Sequence, residues 1–539
     1  MSRTTPHSSD PQSYTHRPHT PRSHTPSAQA PHYGPERIAL ARPSAGSTGT
    51  PMPLRMELGT ELGNDCDRLW MAQSALASSS PDLSARSLLT RGQTVFAWCA
   101  VAVLFICLVL SAKYTAIVLI GTVTLVYLAA LAYRLLLFRR GLAQTDAIEV
   151  SNEQASALTD DELPSYTVLI PAFDEPQIDL LMANLRAIDY PADKLDLRLM
   201  LEAGDAGTIR VAEQACAGYS DGPGFTIIQV PAGEPQTKPR ACNYGLLGTT
   251  SELVTIYDAE DQPDPLQLRR AAYAFAQLPS EYVCLQAQLG FYNSTQNLLT
   301  KWFTLDYGAW FAYLLPGLAA TGSPIPLGGT SNHFRAEVLR RVGGWDPWNV
   351  TEDADLGLRL HRMGYRVGVL KSDTMEEANP DPINWVRQRS RWYKGYIQTF
   401  LVHLRHPRQA AHSLGRRGLT GLILFIGGTP ILSALNGLFW AMALMWFLAH
   451  QGALAALFPT VIYYPALISG VFGNFLIAYM NIYAVRVLGR PQLLVAALLS
   501  PLYWVLMWLA AVKALVQLVT NPSYWEKTTH GLAISRAAA

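Results

Sequence analysis

LVTIYDAED, residues 253–261, runs from a β-branched apolar stretch straight into three acids, Asp258, Glu260 and Asp261. Three other segments share its apolar character: YTVLIPAF at 166–173, LRLMLEA at 197–203 and FTIIQV at 225–230. A strand without polar alternation is buried on both faces, so these four segments predict an α/β domain with a mostly parallel sheet and helices on either side. In such open sheets the ligand lies beyond the carboxyl ends of the strands. Acids stand at that end of three strands: Asp174 and Glu175 after the first, Glu202 and Asp205 at the second, Asp258, Glu260 and Asp261 at the fourth. The third runs into Pro231, Ala232 and Gly233 and on to Lys238.

Carboxylates gathered at one sheet edge raise each other's pKa unless a cation or hydrogen-bond donors are present. A hard divalent ion, Mg²⁺ or Mn²⁺, bridging carboxylate and phosphate oxygens answers that need. Any single acid reads more simply as a cap of the following helix, but the set reads as a site.

The 539 residues are 49% hydrophobic, and the excess is concentrated at the flanks. Apolar runs at 95–111 and 114–138, separated by Lys113, predict two transmembrane helices within 91–140. Further runs at 419–449, 461–485 and 492–519 predict three or four transmembrane or interfacial helices within 417–521. The first run starts nearly a hundred residues into the chain and is not expected to be a signal peptide. Arg86 and Arg91 before the first hairpin, with Arg139 and Arg140 after it, put both its ends and the 150–416 domain on the cytosolic side of a plasma or inner membrane. A net charge of +1 gives no reason to expect nucleic acid as a partner. The six cysteines show no paired spacing, so neither a disulfide framework nor a zinc site is expected. The Pro-, Ser- and His-rich start of the chain cannot bury enough apolar surface to fold, and residues 1–90 are expected to be a disordered tail.

IPAFDEP, LEAGD, KPRACNYGL, YDAED, TED and QRSRW, in this order between apolar belts, resemble the family-2 glycosyltransferases, in particular the membrane-embedded branch with cellulose, chitin and hyaluronan synthases. The resemblance covers about residues 165–395 and implies a GT-A-like, nucleotide-diphospho-sugar transferase fold inserted between N- and C-terminal transmembrane helices. It implies that Glu175 and Glu202 meet the nucleoside and that Lys238 and Asn243 lie along the nucleotide phosphates. In YDAED it gives Asp258 to the ribose and Glu260 to the metal; Glu replaces the usual second Asp, and whether Glu260 or Asp261 is the direct ligand stays open. It assigns Asp353, beside Glu352 at a helix start, as the base that takes the proton from the acceptor. A helix N-terminus favours the carboxylate anion that a base requires.

In QRSRW the resemblance sets Gln388, Arg391 and Trp392 at the pyrophosphate and acceptor. A guanidinium fork suits phosphate oxygens and an indole face suits a sugar. A basic amphipathic helix lying on lipid is the plainer reading of the same residues. GGTSNHF at 328–334 becomes an acceptor loop offering Ser331, Asn332 and His333. YWEKTTHG at 524–531 resembles a loop that closes over the nucleotide, and no cyclic-dinucleotide receptor domain is expected after it. That loop and the basic stretch Arg486–Arg490 both ask for the cytosolic side, which a simple six-span arrangement cannot satisfy. The expected activity is inverting transfer from a nucleoside-diphosphate sugar, UDP-linked, to a β-linked polysaccharide extruded through the spans. Trp440, Trp446, Tyr503, Trp504 and Trp508 would line its path, or form an ordinary interfacial belt. Rival expectations are single transfer to a membrane lipid and an inactive receptor or export partner.

Overall fold

The computed structural model describes residues 65–143, 147–175, 178–217, 224–449, 456–529 and 531–533. Among the described residues nine strands form one sheet: β1 (Ala147–Ile148), β2 (Tyr166–Ala172), β3 (Leu195–Glu202), β4 (Phe225–Val230), β5 (Leu253–Ile256), β6 (Gln262–Pro263), β7 (Tyr282–Phe291), β8 (Asn332–Arg335) and β9 (Arg366–Glu376). The order is β1-β9-β7-β8-β5-β2-β3-β4, with β6 paired to β9. β2 is parallel to β3 and β5, β3 to β4, and β9 to β1 and β7, whereas β8 is antiparallel to both of its neighbours. Two antiparallel steps restore direction, so β9 ends at the same sheet edge as β2, β3 and β5.

The unbroken apolar strands do what their composition requires. Val168 and Ile170 of β2 join the core on one face of the sheet, with Leu197 and Leu268. Leu169 between them joins the core on the other, with Met200 and Ile256, which continues into the apolar helices. Both faces are therefore covered.

Among the described residues four helices are long and apolar enough to cross a membrane: Arg91–Leu142, Pro407–Met442, Thr460–Val487 and Ser500–Thr520. The first is broken at Ser111, whose backbone is extended (φ −165°, ψ 98°). Gln93 Nε2 donates to Leu401 O at 2.8 Å and Tyr133 Oη meets Ser323 Oγ at 3.1 Å. Leu401 and Ser323 lie on the same body, linked through His403, Arg362, His361, Gly418 and Pro324. A straight helix would hold Gln93 and Tyr133 about 60 Å apart, so the chain doubles back at Ser111. Phe96 and Leu110 are 76% and 78% exposed on this hairpin. That apolar surface needs lipid to cover it.

The placement of the basic stretch and the C-terminal loop on one side has a structural answer. Arg490 donates to Ser294 Oγ at 2.5 Å, so the end of the Thr460–Val487 helix returns to the α/β body. Helix Ser500–Thr520 lies lengthwise on helix Pro382–His403: Tyr503 Oη accepts from Arg389 at 3.2 Å, and Lys394 at 3.4 Å reaches the carbonyl of Asn521, just past its far end. This last apolar helix starts and finishes on the body, its outer face carrying exposed Leu502 and Val519.

The expected disordered tail of 1–90 lies outside the described residues as far as 64, and from Asp65 the structure corrects it. Helix Asp65–Ser79 buries only Ala72 and Leu76, too little to read as a core helix. Its anchors are tertiary: Asn243 Nδ2 donates to Ala72 O at 3.0 Å, Arg405 donates to Pro81 O at 2.6 Å, and Ser84 Oγ donates to Asp346 at 3.0 Å.

The second arm of the hairpin meets helix Leu315–Thr321 at backbone distance. A Cβ on Gly317 would stand 2.2 Å from Leu137 O, and one on Gly141 would stand 1.9 Å from Tyr313 O. Small residues permit such helix contacts. Gly317→Ala is expected to cost about 1–3 kcal/mol of overpacking, read as a lowered Tm in detergent; an unchanged Tm would show that this crossing does not hold the hairpin.

Candidate functional site

The carboxyl edge of the sheet opens into a cavity of about 960 Å³ that continues between the apolar helices. Glu175, Glu202, Glu234, Asp258, Glu260, Glu352, Asp353 and Glu376 line its sheet end, against Lys238, Arg391 and Lys527. Lys238 starts helix Lys238–Leu246; its Nζ donates to Asp258 and, at 2.7 Å, to Gly329 O. Burial alone would lower its pKa, but Asp258 and Glu352 hold it above the usual lysine value.

Glu202, at the end of β3, receives both bonds, 2.6 and 2.8 Å, from Nη2 of the fully buried Arg240. Burial raises its pKa, with Arg240 opposing. Breaking a buried pair leaves an uncompensated charge worth about 3–5 kcal/mol, so Arg240→Met is expected to lower stability by that order in thermal unfolding. Arg240 stands inside KPRACNYGL, yet the sequence offered no signal that it faces Glu202.

Asp261 is fully buried and does not line the cavity. Its Oδ2 accepts from the Asp258 backbone N–H at 2.7 Å and from Thr330 Oγ1, which corrects its place among the direct ligands: it supports the loop from below. Its Oδ1 is buried without a hydrogen-bond partner. Burial and the nearby Asp258 and Glu260 push its pKa well above the usual range. Glu376, at the end of β9, is raised by burial and by Asp261, Glu260 and Asp258. Sequence reading missed Glu376, because β9 carries no apolar-run signature and its end at the shared edge is set by the sheet order.

The donor set fits a divalent cation, since Asp258 and Glu260 present hard carboxylate oxygens to the cavity beside Glu376. Asp258 and Glu260 are the lining groups that would hold it. Among the described residues no three His, Cys, Asp or Glu side chains form a cage. Mg²⁺-type ions bound through one or two carboxylates take their other ligands from phosphate and water.

Glu352 and Asp353 open helix Glu352–Arg362 behind N-cap Thr351. Burial raises both, Glu352 further because Asp353 adds to it, while Lys238 and Arg391 pull both down. Asp353 is the more accessible of the two, and a Cβ on Gly329 would sit 3.6 Å from both Asp353 Oδ2 and Lys238 Nζ.

Helix Pro382–His403 brings Gln388, Arg391 and Trp392 to the cavity wall. Gln388 Oε1 and Arg391 Nε are buried without hydrogen-bond partners. The Arg391 guanidinium lies 4.4 Å over the Trp525 ring. Trp392 lies under Arg389 at 4.6 Å and beside Tyr307 at 6.2 Å, and Arg389 is held by Asp306 at 2.6 Å. Neither Arg389 nor Asp306 was anticipated. Segment 524–529 bridges the mouth: Lys394 donates to Tyr524 O at 2.7 Å, Lys527 to Phe173 O at 2.6 Å, and Asn384 Nδ2 to Thr529 O at 2.8 Å. His530 lies outside the described residues.

Three expectations are corrected. Asn243 is buried, tying Ala72 O and Trp345 O rather than meeting phosphates. Ser331, Asn332 and His333 are fully buried around β8, where His333 pairs with Tyr166 Oη at 2.6 Å; Gly328, Gly329 and Thr330 face the cavity instead. Among the aromatics, Tyr503 and Trp504 line the cavity, Trp440 is 46% exposed, Trp508 packs on Gly437, and the Trp446 side chain lies outside the described residues.

If Asp353 accepts a proton, Asp353→Asn is expected to lower kcat by about 10²- to 10⁴-fold with donor binding kept. Its raised pKa means the base form is lost as pH falls through a value above the ordinary aspartate range near 3.9. The acid limb of kcat/KM should therefore lie above that range; a limb at or below it would remove Asp353 from the role.

The Synechocystis sp. beta-monoglucosyldiacylglycerol synthase is 28% identical over 244 residues, 45% of this chain and 50% of that protein. Glucomannan 4-beta-mannosyltransferase 2 of Arabidopsis thaliana is 26% identical over 44% of this chain and 45% of its own length. The Komagataeibacter xylinus cellulose synthase 1 catalytic subunit is 25% identical over 45% and 32%. The match thus spans about half or less of these relatives. A mannosyltransferase from Pyrobaculum calidifontis, solved with GDP-Man and Mn2+, aligns at a TM-score of 0.46 and 20% identity, over 71% of this chain and 99% of that one. The model of glycosyl transferase family group 2 matches residues 253–522, half of the chain, and with YDAED, TED and QRSRW all inside that span, the chain belongs to this family.

Proposed function

We propose that the protein is a metal-dependent, inverting glycosyltransferase that moves a sugar from a UDP-linked donor to a growing β-linked polysaccharide, which leaves through the apolar helices. The observation that carries this reading is the continuity of the cavity from the acid edge into the helix bundle. Thr429, Ser433 and Asn436 of one helix and Ser469, Asn474 and Asn481 of another line its far part. Thr429, Ser433 and Asn436 share one helical face, as do Asn474 and Asn481, and such neutral hydrogen-bonding groups within apolar helices match the hydroxyls of a glycan chain. The UDP-forming cellulose synthase among the relatives supports the donor class.

In this reading Glu175 and Glu202 hold the nucleoside, while Lys238 and Arg391 hold the diphosphate. The chemistry that bound Mg²⁺ or Mn²⁺ would supply beside Asp258 and Glu260 is neutralisation of diphosphate charge as the leaving group departs. Asp353 takes the proton of the acceptor hydroxyl as its oxygen attacks the anomeric carbon. One displacement inverts that centre, so an α-linked donor gives a β-glycoside. Trp392 and Tyr307 orient the acceptor, and Trp525 with Lys527 excludes water from the donor. The placement of the α/β domain, residues 150–416, on the cytosolic side belongs to the same proposal, since sugar nucleotides are cytosolic.

A second reading, single transfer to a membrane lipid, draws on the glycolipid synthase relative. Product size decides. Purified protein in nanodiscs, given labelled UDP-sugars and Mn²⁺ or Mg²⁺, is expected to yield a high-molecular-weight, β-glycosidase-sensitive product, abolished by EDTA and restored by metal. Label confined to the lipid extract selects the second reading; no transfer from any donor rejects both.

A further inference from the structure

Asp306 and Arg389 line the cavity without a part in holding the donor or moving the proton. Helix Leu298–Ala309 turns Trp302, Leu305, Asp306 and Ala309 to the cavity, the spacing of one helical face, and Asp306 is its only acid. Arg389 Nη2 donates to Asp306 Oδ2 at 2.6 Å and to Tyr503 Oη at 3.2 Å. Rings wall in the rest of the guanidinium, Trp392 at 4.6 Å and Phe303 and Trp385 at 5.3 Å. The two partners differ in access: the Arg389 side chain is 11% exposed, that of Asp306 37%. Asp306 Oδ1 accepts no bond among the described residues and is not buried, so it opens into the cavity. The tie between the two helices uses Oδ2 and leaves Oδ1 for a ligand. Tyr307 and Tyr396 are within electrostatic reach of both Asp306 and Asp353, which sets Asp306 across these rings from the proposed base.

We propose that Asp306 binds the glycan itself: Oδ1 accepts hydrogen bonds from free ring hydroxyls of the sugar unit behind the reacting one, and Arg389 is a positioning residue that keeps the carboxylate turned to the cavity. This rests on the glycosyl-transfer reading of the site. An ionised carboxylate accepts and never donates, so it selects a ligand by its hydroxyl hydrogens, and bonds to a charged acceptor are roughly twice as strong as neutral ones. Thr429, Ser433 and Asn436 both donate and accept, and so take a hydroxyl in either sense. Away from the sheet end, Asp306 is the one carboxylate among the described lining residues. Flat rings flank it, Tyr307 with Trp392 at 6.2 Å and Trp302 with Tyr503 at 5.5 Å, each pair tilted by about 30°. Aromatic faces and an acceptor-only edge fit the apolar face and the hydroxyl rim of a pyranose. The substrate class that follows is a glycan whose unit at this position carries unsubstituted hydroxyls.

Equilibrium binding of fluorescently labelled β-1,4-linked glucotetraose and mannotetraose to the full-length protein in a neutral detergent, with no donor present, tests the subsite. The probes are chosen from the cellulose synthase and glucomannan mannosyltransferase relatives. Saturable binding of at least one is expected in the wild type, weakened about tenfold or more in Asp306→Ala and less in Asp306→Glu, with the permethylated tetraose failing to compete. Asp306→Asn still accepts the bond from Arg389, so a merely structural tie predicts wild-type binding in that variant, whereas loss of the charged acceptor predicts binding about threefold weaker or more. Should Asp306→Ala not fold, Asp306→Asn decides. Absence of saturable binding of either tetraose, wild-type binding by Asp306→Asn, or equal competition by the permethylated sugar overturns the assignment. No donor or turnover enters the measurement: a protein that binds the tetraoses through Asp306 yet transfers no sugar would sink the transferase reading alone, and transfer with binding indifferent to Asp306 would sink the subsite alone.

Discussion

Mutual repulsion among the carboxylates at the sheet edge constrains everything built around them. Burial and the neighbouring Asp258 and Glu260 raise Asp261 and Glu376. Lys238 satisfies Asp258 alone by direct contact, and Arg391 acts on the group at longer range. In the proposed reading the balance is left to a bound cation together with the charges of its ligand. Holding such a cluster requires rigid support, which the buried Thr330–Asp261 contact and the Glu202–Arg240 pair provide from behind the lining.

The same edge must stay registered with a bundle of apolar helices, and the fold achieves this by backbone contact. Gly141 and Gly317 let the hairpin and the α/β body approach with no side chain between them, and Gly395 lets helix Pro382–His403 press on Thr351, immediately before Glu352 and Asp353. A Cβ on Gly395 would stand 2.3 Å from Thr351 Oγ1. The helix that carries Arg391 and the helix that starts with Asp353 therefore cannot drift independently. The sheet end and the helix wall of the cavity are thereby held together.

Much of the fold was legible because burial on both faces leaves a signature that no loop imitates. β2, β3 and β5 were readable as apolar runs, and the lining acids followed from the rule that parallel strands present their ends together; β4 was found as a strand, but it lies at the sheet edge with Thr226 and Gln229 exposed rather than buried on both faces. β7, β8 and β9 were not, because their polar residues are satisfied inside the protein: Gln286 donates to Thr330 O and His333 meets Tyr166. Polarity there reports a buried hydrogen-bond network rather than exposure, which is also why Ser331, Asn332 and His333 looked like ligand contacts. Asn243 misled for the same reason.

By itself the sequence determined that acids and a lysine would share one sheet edge between apolar belts, because periodicity and strand direction are local and directional properties; the Arg-Trp helix was set there by resemblance alone. Which of neighbouring acids faces the cavity and which lies beneath it was decided only by tertiary structure. Asp258 and Asp261 are three residues apart in one loop, and their difference comes from Thr330 and Lys238, which arrive from distant parts of the chain. The same holds for the last apolar helix. Its composition allows a membrane crossing; its contacts with Arg389 and Lys394 lay it along the α/β body.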